Sequence, residues 1–162
     1  MVVSTKGRYA LRVMLALAQA AREQQTTESY VPGPYVSLKE ISEQQKISRK
    51  YLESIMTVLS KAGLVDGNRG KGGGYRLNRP PEAYPISEIL SLTEGSLAPV
   101  NCLSDGQALC PNAAHCPTLP LWQELDALIA DFFHRRTLAD LMKNTADSGN
   151  ASCKVRDGSS EG

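Results

Sequence analysis

Apolar residues near the start of the chain recur at helical spacing. Within residues 7–22, four apolar side chains fall at positions i, i+3, i+4 and i+7, namely Leu11, Met14, Leu15 and Ala18. This spacing predicts an amphipathic helix. Residues 23–36 are polar and then rich in proline and glycine, which predicts a loop.

A pair of helices separated by a short turn is predicted next. Ser37 precedes an apolar run and Glu40 follows it by three residues, the spacing of a capping box at the start of a short helix over residues 38–44. After a turn at residues 45–47, Ser48 is placed to cap a second helix over residues 49–62. The apolar face of that second helix comprises Leu52, Ile55, Met56 and Leu59.

Two short strands follow, over residues 64–66 and 74–78, and Pro80 and Pro81 end this unit. The segment between the strands, residues 67–73, is rich in glycine and contains Arg69 and Lys71, so it predicts the tip of a β-hairpin. Helix, turn, helix and glycine-rich hairpin, in that order, predict a mainly α-helical fold with a small β-hairpin wing, a winged helix-turn-helix.

The second half of the chain contains a short helix over residues 85–92 and an irregular segment over residues 95–120. Residues 121–136 then predict a helix with an unusually wide apolar stripe, made of Leu121, Trp122, Leu125, Leu128, Ile129, Phe132 and Phe133. So many large apolar side chains exceed what one small domain can cover, which predicts a long helix at a homodimer interface. A further helix restarts at Thr137, and the composition of residues 145–162 predicts disorder.

The charge distribution divides the chain into two parts. The 162 residues have a net charge of +1, but residues 1–80 carry 13 Lys and Arg against 6 Asp and Glu. Residues 81–162 carry the other 5 basic residues against 11 acidic ones. A basic first half favours a polyanionic partner. No apolar run approaches the length of roughly 20 residues that is needed to span a bilayer, and the first residues do not have the pattern of a signal peptide. A cytoplasmic protein is therefore expected.

The predicted second helix and hairpin tip are suited to duplex DNA. The first turns of that helix offer short, polar or basic side chains where base edges are read, namely Ser48, Arg49, Lys50, Tyr51 and Glu53. Arg69 and Lys71 lie beside Gly72 and Gly73, where the backbone can approach phosphates closely. Ordinary surface solvation is the alternative for each charge alone, and the Gly-Lys-Ser/Thr ending of a phosphate-binding P-loop is absent.

Three cysteines, Cys102, Cys110 and Cys116, fall within 15 residues of the irregular segment. An odd number of cysteines does not make a disulfide framework, and several converging thiolates bind zinc or iron–sulfur iron. The spacing favours a metal site but leaves its identity open. The absence of a Cys-x-x-Cys pair argues against a zinc knuckle.

The sequence resembles the winged-helix transcription regulators typified by the iron–sulfur cluster regulator IscR, with NsrR and CymR as relatives. The resemblance covers about residues 1–142 and rests on motifs at residues 4–10, 47–53 and 64–75, of which the Gly-Gly-Gly-Tyr wing is the most specific. It implies homodimers that bind palindromic operators. It also implies DNA contacts for Lys6, Arg8, Ser48, Tyr51, Glu53 and Arg69.

The same resemblance implies an iron–sulfur cluster on the three cysteines, with 2Fe–2S favoured over 4Fe–4S. This chain departs from the pattern at the fourth ligand, because the position three residues after the last cysteine is Leu119 where relatives often have His. His115 and Cys153 are the remaining candidates on the chain. The fourth ligand is therefore left open.

The sequence predicts a dimeric transcription regulator that senses iron–sulfur or redox status. Its expected parts are a DNA-binding domain over residues 1–80, a cysteine loop and dimerisation helices over residues 81–144, and a tail over residues 145–162. The alternative is a cluster-free repressor whose cysteines are thiol sensors or vestigial. No nucleophile–base pair or paired carboxylates suggest an enzyme, and a protein-interaction module built on the apolar stripe is explained better by dimerisation.

Overall fold

The computed structural model describes residues 3–22, 31–104 and 110–147. The described residues form six α-helices and one two-stranded antiparallel sheet. The helices are α1 (Thr5–Arg22), α2 (Leu38–Gln45), α3 (Arg49–Lys61), α4 (Ile86–Glu94), α5 (Leu119–Arg135) and α6 (Leu138–Asp147), and the strands are β1 (Val65–Asn68) and β2 (Gly74–Leu77). This mainly α-helical fold with a β-hairpin wing confirms the predicted fold class.

One cluster of buried side chains joins the first and second halves of the chain. Helix α1 packs against α2 and α3 and also against α4 and α6. The core contains the predicted apolar face of α3 and extends to Ile89 of α4 and Leu138 of α6. Helices α4 and α6, which follow the wing in sequence, therefore cover α1.

Local signals at the helix starts are confirmed. The Ser37 hydroxyl accepts a hydrogen bond from the backbone N–H of Glu40, and the Glu40 carboxylate accepts one from the N–H of Ser37, which is the predicted capping box. Ser48 caps α3 by accepting from the N–H of Tyr51. The turn between α2 and α3 passes through Lys46, whose φ of 55° is left-handed.

Several element boundaries differ from the sequence expectation, and β1 runs from Val65 to Asn68 where residues 64–66 were predicted. Helix α1 begins at Thr5, two residues before the predicted start, and α5 begins at Leu119 because Pro120 fits the first turn of a helix. Helix α6 continues to Asp147, so three residues of the predicted tail are helical. The rest of that tail, residues 148–162, lies outside the described residues, as do residues 23–30 of the predicted loop.

The wing is a hairpin in which Val65 pairs with Leu77 and Asn68 pairs with Gly74. Its second strand has another neighbour that the sequence did not indicate. Val36 and Tyr75 exchange two backbone hydrogen bonds of 2.9 Å, so the end of the predicted loop forms a β-bridge to β2. This bridge fastens β2 to Val36, which precedes the N-cap residue of α2.

The wide apolar stripe of α5 divides into two sides. Phe133 packs against the core, and Ile129 faces the groove between α5 and α4. The other side is open, with Leu121, Leu125, Leu128 and Phe132 exposed by 57%, 38%, 61% and 56%. The single stripe inferred from the sequence therefore has two sides. The inner side holds α5 to its own chain, and the outer side has no cover among the described residues.

Candidate DNA interface and cysteine loop

Helix α3 buries one face and exposes the other. Leu52, Ile55, Met56 and Leu59 are fully buried. Ser48, Arg49, Lys50 and Glu53 are exposed, so the predicted reading residues lie on the free side of the first two turns. The helix-turn-helix thus presents the N-terminal end of its second helix to solvent, the end that enters a major groove in proteins of this architecture.

Tyr51 differs from its neighbours because its ring is half-buried. It meets the ring of Tyr9 edge-to-face, with ring centroids 5.8 Å apart. This contact places the start of α1, with Lys6 and Arg8, beside the first turn of α3. Arg8 is exposed and Lys6 is half-buried.

The wing tip exposes Arg69, Gly70, Lys71 and Gly72. Gly72 has a φ of 77°, a left-handed conformation that L side chains rarely adopt. A Cβ at Gly73 would stand 2.9 Å from the carbonyl oxygen of Gly70, and a Cβ at Gly74 would collide with the backbone of Val36. The glycine triplet therefore shapes the turn and lets β2 approach Val36, while the two cations project from the tip.

The cations of this surface are available for phosphate groups. Within the described residues, none of the six predicted DNA-contacting cations forms an ion pair; these are Lys6, Arg8, Arg49, Lys50, Arg69 and Lys71. The Arg8 guanidinium donates a hydrogen bond to the Thr5 hydroxyl at 3.1 Å. Positive charge without an ion pair supplies the sequence-independent part of DNA affinity.

Arg12 is a positioning residue that sequence reasoning missed. Its guanidinium donates to the backbone carbonyl of Gln45 at 2.8 Å and to the side-chain oxygen of Gln45 at 3.0 Å, which satisfies the C-terminal end of α2. It also lies over the ring of Tyr9. The partner of Arg12 lies 33 residues away in sequence, so no local pattern indicates the contact.

The cysteines lie on the irregular connection between α4 and α5. Cys102 is exposed in a single 3-10 turn, and Cys110 and Cys116 are half-buried. A side-chain contact with Thr118, 3.4 Å from the Cys116 sulfur, lowers the pKa of the Cys116 thiol from its ordinary value. This favours the thiolate, which is the form that binds metals and reacts with oxidants.

The three thiols are not gathered into a metal-binding group in the described part of the chain. Residues 105–109, which connect Cys102 to Cys110, lie outside the described residues. The donor set nevertheless has the chemistry of an iron–sulfur site, since all three sulfurs are free and one is biased toward thiolate. His115 is exposed and is the last residue of a single 3-10 turn, next to Cys116.

A winged helix-turn-helix with exposed cations on its second helix and wing defines a DNA-binding transcription regulator. Residues 3–144 match the Rrf2 family, which is described as iron-dependent transcriptional regulator. The chain therefore belongs to the Rrf2 family of transcription regulators, and this confirms the resemblance drawn from its motifs.

Relatives and solved structures agree with this assignment. The chain is 39% identical over 148 residues to the HTH-type transcriptional regulator IscR of Cereibacter sphaeroides, a match that covers 89% of this chain and 88% of that protein. CymR, the global cysteine regulator of B. subtilis, has a TM-score of 0.68 at 32% identity and covers 89% of this chain and 98% of its own. IscR of T. potens also has a TM-score of 0.68 at 32% identity, with coverage of 94% and 93%.

The family and these relatives regulate transcription, so the chain is a regulator and not an enzyme. No helix among the described residues is long and apolar enough to cross a membrane.

Proposed function

We propose that this protein is a homodimeric regulator that binds palindromic operator DNA and senses iron–sulfur or redox status through its cysteine loop. The observation that carries the DNA-binding part is the set of six cations without ion pairs on the start of α1, the first turn of α3 and the wing tip. In this proposal, residues 1–80 read DNA, whereas residues 81–144 sense the signal and join the two subunits.

The proposed contacts divide by chemistry. Ser48, Tyr51 and Glu53 read base edges in the major groove, where a carboxylate accepts a hydrogen bond from a cytosine amino group. Arg69 enters a narrow minor groove from the wing. Arg49 and Lys50 lie in the same turn as the base-reading residues. Lys6, Arg8 and Lys71 bind phosphates, and Gly72 and Gly73 let the backbone come close to them.

The proposed cofactor is an iron–sulfur cluster held by Cys102, Cys110 and Cys116. The family's description as iron-dependent and the similarity to IscR proteins support it. When bound, a cluster supplies a group that oxidation can dismantle. A 2Fe–2S cluster is favoured, and the fourth ligand is not assigned to a residue of this chain.

A cluster-free thiol regulator is the second candidate. It is favoured by the free thiols, by the lowered pKa of Cys116, and by the lack of a converged ligand group in the described part of the chain. The similarity to CymR, named a global cysteine regulator, supports the same alternative. In this case the state of the thiols alone would alter DNA affinity.

Anaerobic purification followed by iron and sulfide analysis separates the two candidates. We expect iron and sulfide in nearly equal amounts in the wild-type protein, and their loss in the triple variant Cys102→Ala, Cys110→Ala, Cys116→Ala. Operator affinity of the iron-loaded and iron-free forms is expected to differ by about 5- to 150-fold, the usual range of coupling between sites. Wild-type protein free of iron and sulfide would instead support the thiol regulator. Equal operator affinity of the iron-loaded form, the iron-free form and the triple variant would contradict the cluster sensor and favour the cluster-free alternative.

A further inference from the structure

The cap at the start of α1 includes a residue that is distant in sequence. Ser4 stands at the N-cap position, where its hydroxyl accepts a hydrogen bond from the N–H of Gly7 at 3.2 Å. The backbone N–H and the hydroxyl of Ser4 in turn donate to the two carboxylate oxygens of Glu94, at 3.2 and 2.7 Å. The first turn of α1 thus depends on a carboxylate 90 residues away.

This arrangement is a capping box whose two parts come from different elements. In α2 the box is local, since Glu40 lies three residues after Ser37 and accepts from its N–H at 2.8 Å. In α1 the residue three positions after Ser4 is Gly7, which has no side chain to complete a box. Glu94 supplies the carboxylate instead, and a negative charge there also complements the positive end of the helix dipole.

Gly7 is shaped for this contact. A Cβ at Gly7 would collide with the Glu94 carboxylate oxygen and would stand 3.2 Å from the carboxyl carbon. Glycine within a helix is destabilising relative to alanine. The residue is buried, and a larger residue there would require the Glu94 carboxylate to move.

Glu94 occupies the boundary between α4 and the cysteine loop. It is the last residue of α4, and Gly95 follows with a φ of 77° and a ψ of −52°. Nothing lies within 4 Å of a Cβ built at Gly95, so its conformation and not crowding requires glycine there. The chain reverses sharply at Gly95 and continues to Cys102 seven residues later.

The other end of this contact is the DNA-binding surface. Lys6 and Arg8 lie two and four residues after Ser4, and the N–H of Arg8 donates to the Ser4 carbonyl at 3.1 Å. Tyr9, one residue further, packs against Tyr51 of α3. A shift of Ser4 therefore moves two proposed phosphate-binding side chains and disturbs the support of the first turn of α3.

We propose that Glu94 is a positioning residue that links the cysteine loop to the start of α1, so that displacement of the loop loosens the helix start that carries Lys6 and Arg8. The proposal rests on the proposed function for its effect on DNA. The linkage itself is a property of the fold and is testable without DNA or a cluster.

The test uses the full chain with Cys153→Ser, in the reduced, iron-free form, before and after alkylation of the loop cysteines by iodoacetamide. Amide hydrogen exchange of a peptide covering residues 3–12 reports the cap, and operator affinity reports the consequence. The variants are Glu94→Ala, Glu94→Ala with Gly7→Glu, and Glu82→Ala as the control for loss of an exposed carboxylate.

In the protein with Glu94 intact, alkylation is expected to speed exchange at the start of α1 and to weaken operator binding by about fivefold, since one helix cap is lost. Glu94→Ala should show the fast exchange and weak binding before alkylation. Gly7→Glu rebuilds a local capping box, so the double variant should regain slow exchange, thermal stability and operator affinity, but none of these should respond to alkylation. If Glu94 only stabilised the fold, the double variant that regains stability would also regain the response to alkylation.

Three results would overturn the linkage. They are an exchange rate at residues 3–12 that alkylation leaves unchanged when Glu94 is present, an equal response to alkylation in the double variant, and the same loss in Glu82→Ala as in Glu94→Ala. Absence of operator binding by the wild-type protein would overturn the proposed function instead, and the exchange measurements would still decide the linkage.

Discussion

Single side chains on the proposed DNA-binding surface differ in what they can recognise. Glu53 is exposed on the second turn of α3, where its carboxylate can select a base, whereas Lys71 is exposed at the wing tip. A point charge such as Lys71 attracts any phosphate and carries no sequence information. The two residues should therefore fail in different ways.

Glu53→Ala is expected to relax the preference between operator sequences, by roughly 1–3 kcal/mol at one base position. Lys71→Ala should weaken binding to all sequences alike and reduce the slope of log affinity against log salt by about one. Affinity titrations over an operator mutant set at several salt concentrations measure both effects. A change of base preference in Lys71→Ala without one in Glu53→Ala would reverse the assigned roles.

Tyr84 is a buried residue whose hydroxyl joins the wing to the second half of the chain. The hydroxyl lies 2.8 Å from the Leu64 carbonyl oxygen, and it accepts from the N–H groups of Asn78 and Arg79 at 3.2 and 3.1 Å. The guanidinium of Arg79 covers the ring, 4.3 Å from its centroid, and pairs with Glu88 at 3.0 Å. Removing the hydroxyl leaves these backbone groups without a partner.

Tyr84→Phe is therefore expected to lower the free energy of unfolding by about 1–3 kcal/mol. Urea unfolding measures this change. Tyr35→Phe is the matched control, because the Tyr35 ring contacts the Arg76 guanidinium while its hydroxyl has no hydrogen bond within the described residues. Equal losses in the two variants would contradict the role given to the Tyr84 hydroxyl.

At the scale of elements, α2 depends on a titratable cap. Hydrogen bonds from the backbone N–H and the hydroxyl of Ser37 lower the pKa of Glu40 below its ordinary value of 4.5. A carboxyl with a lowered pKa in the folded state contributes stability above its unfolded pKa and loses it as the pH falls through its folded pKa. The contribution of this cap should therefore decline as the pH falls below 4.5.

Glu40→Gln is expected to be less stable than the wild-type protein at pH 7, and the difference should shrink as the pH falls below 4.5. Ser37→Ala removes one of the hydrogen bonds to the Glu40 carboxylate, so its stability should depend less on pH in this range than that of the wild-type protein. Thermal unfolding of the three proteins from pH 7 to pH 3 measures it. A difference between Glu40→Gln and wild type that stays constant over this range would count against the cap.

Elements and contacts differ in how well the sequence predicts them. The capping residues Ser37 and Ser48, the apolar face of α3 and the glycine-rich wing are encoded within short windows, and each is confirmed. The Val36 bridge to Tyr75 and the contact of Glu94 with Ser4 join residues far apart in sequence, so no local pattern indicates them. The assignment of individual DNA contacts and cluster ligands stays a prediction, because it depends on partners outside this chain.

For the whole molecule, one side of α5 packs against its own chain, and the other side is available to a second subunit. At about 100° per residue, Leu121, Leu125, Leu128 and Phe132 share one side, while Ile129 and Phe133 share the side that faces α4 and the core. The outer four side chains are roughly half exposed. Burying what remains is worth on the order of 1 kcal/mol for each in every subunit.

A second copy of α5 is the cover that the proposed dimer provides for this outer side. Leu125→Glu with Leu128→Glu places two charges at its centre and is expected to produce a monomer at micromolar concentration, with operator affinity reduced to that of one half-site. Ile129 is unsuitable for this test because it faces the groove against α4, so its replacement would disturb the fold.

The control is Gln123→Glu with Ala127→Glu, which adds the same charge on the exposed polar side of α5. Sedimentation equilibrium should show a dimer for this control and for the wild-type protein, and circular dichroism should show equal helix content in all three. The doubly substituted leucine variant staying dimeric would place the interface elsewhere. A wild-type protein that is monomeric would contradict the proposed dimer. It would also remove the reason to expect a palindromic operator, because two-fold symmetry in the DNA site mirrors two-fold symmetry in the protein.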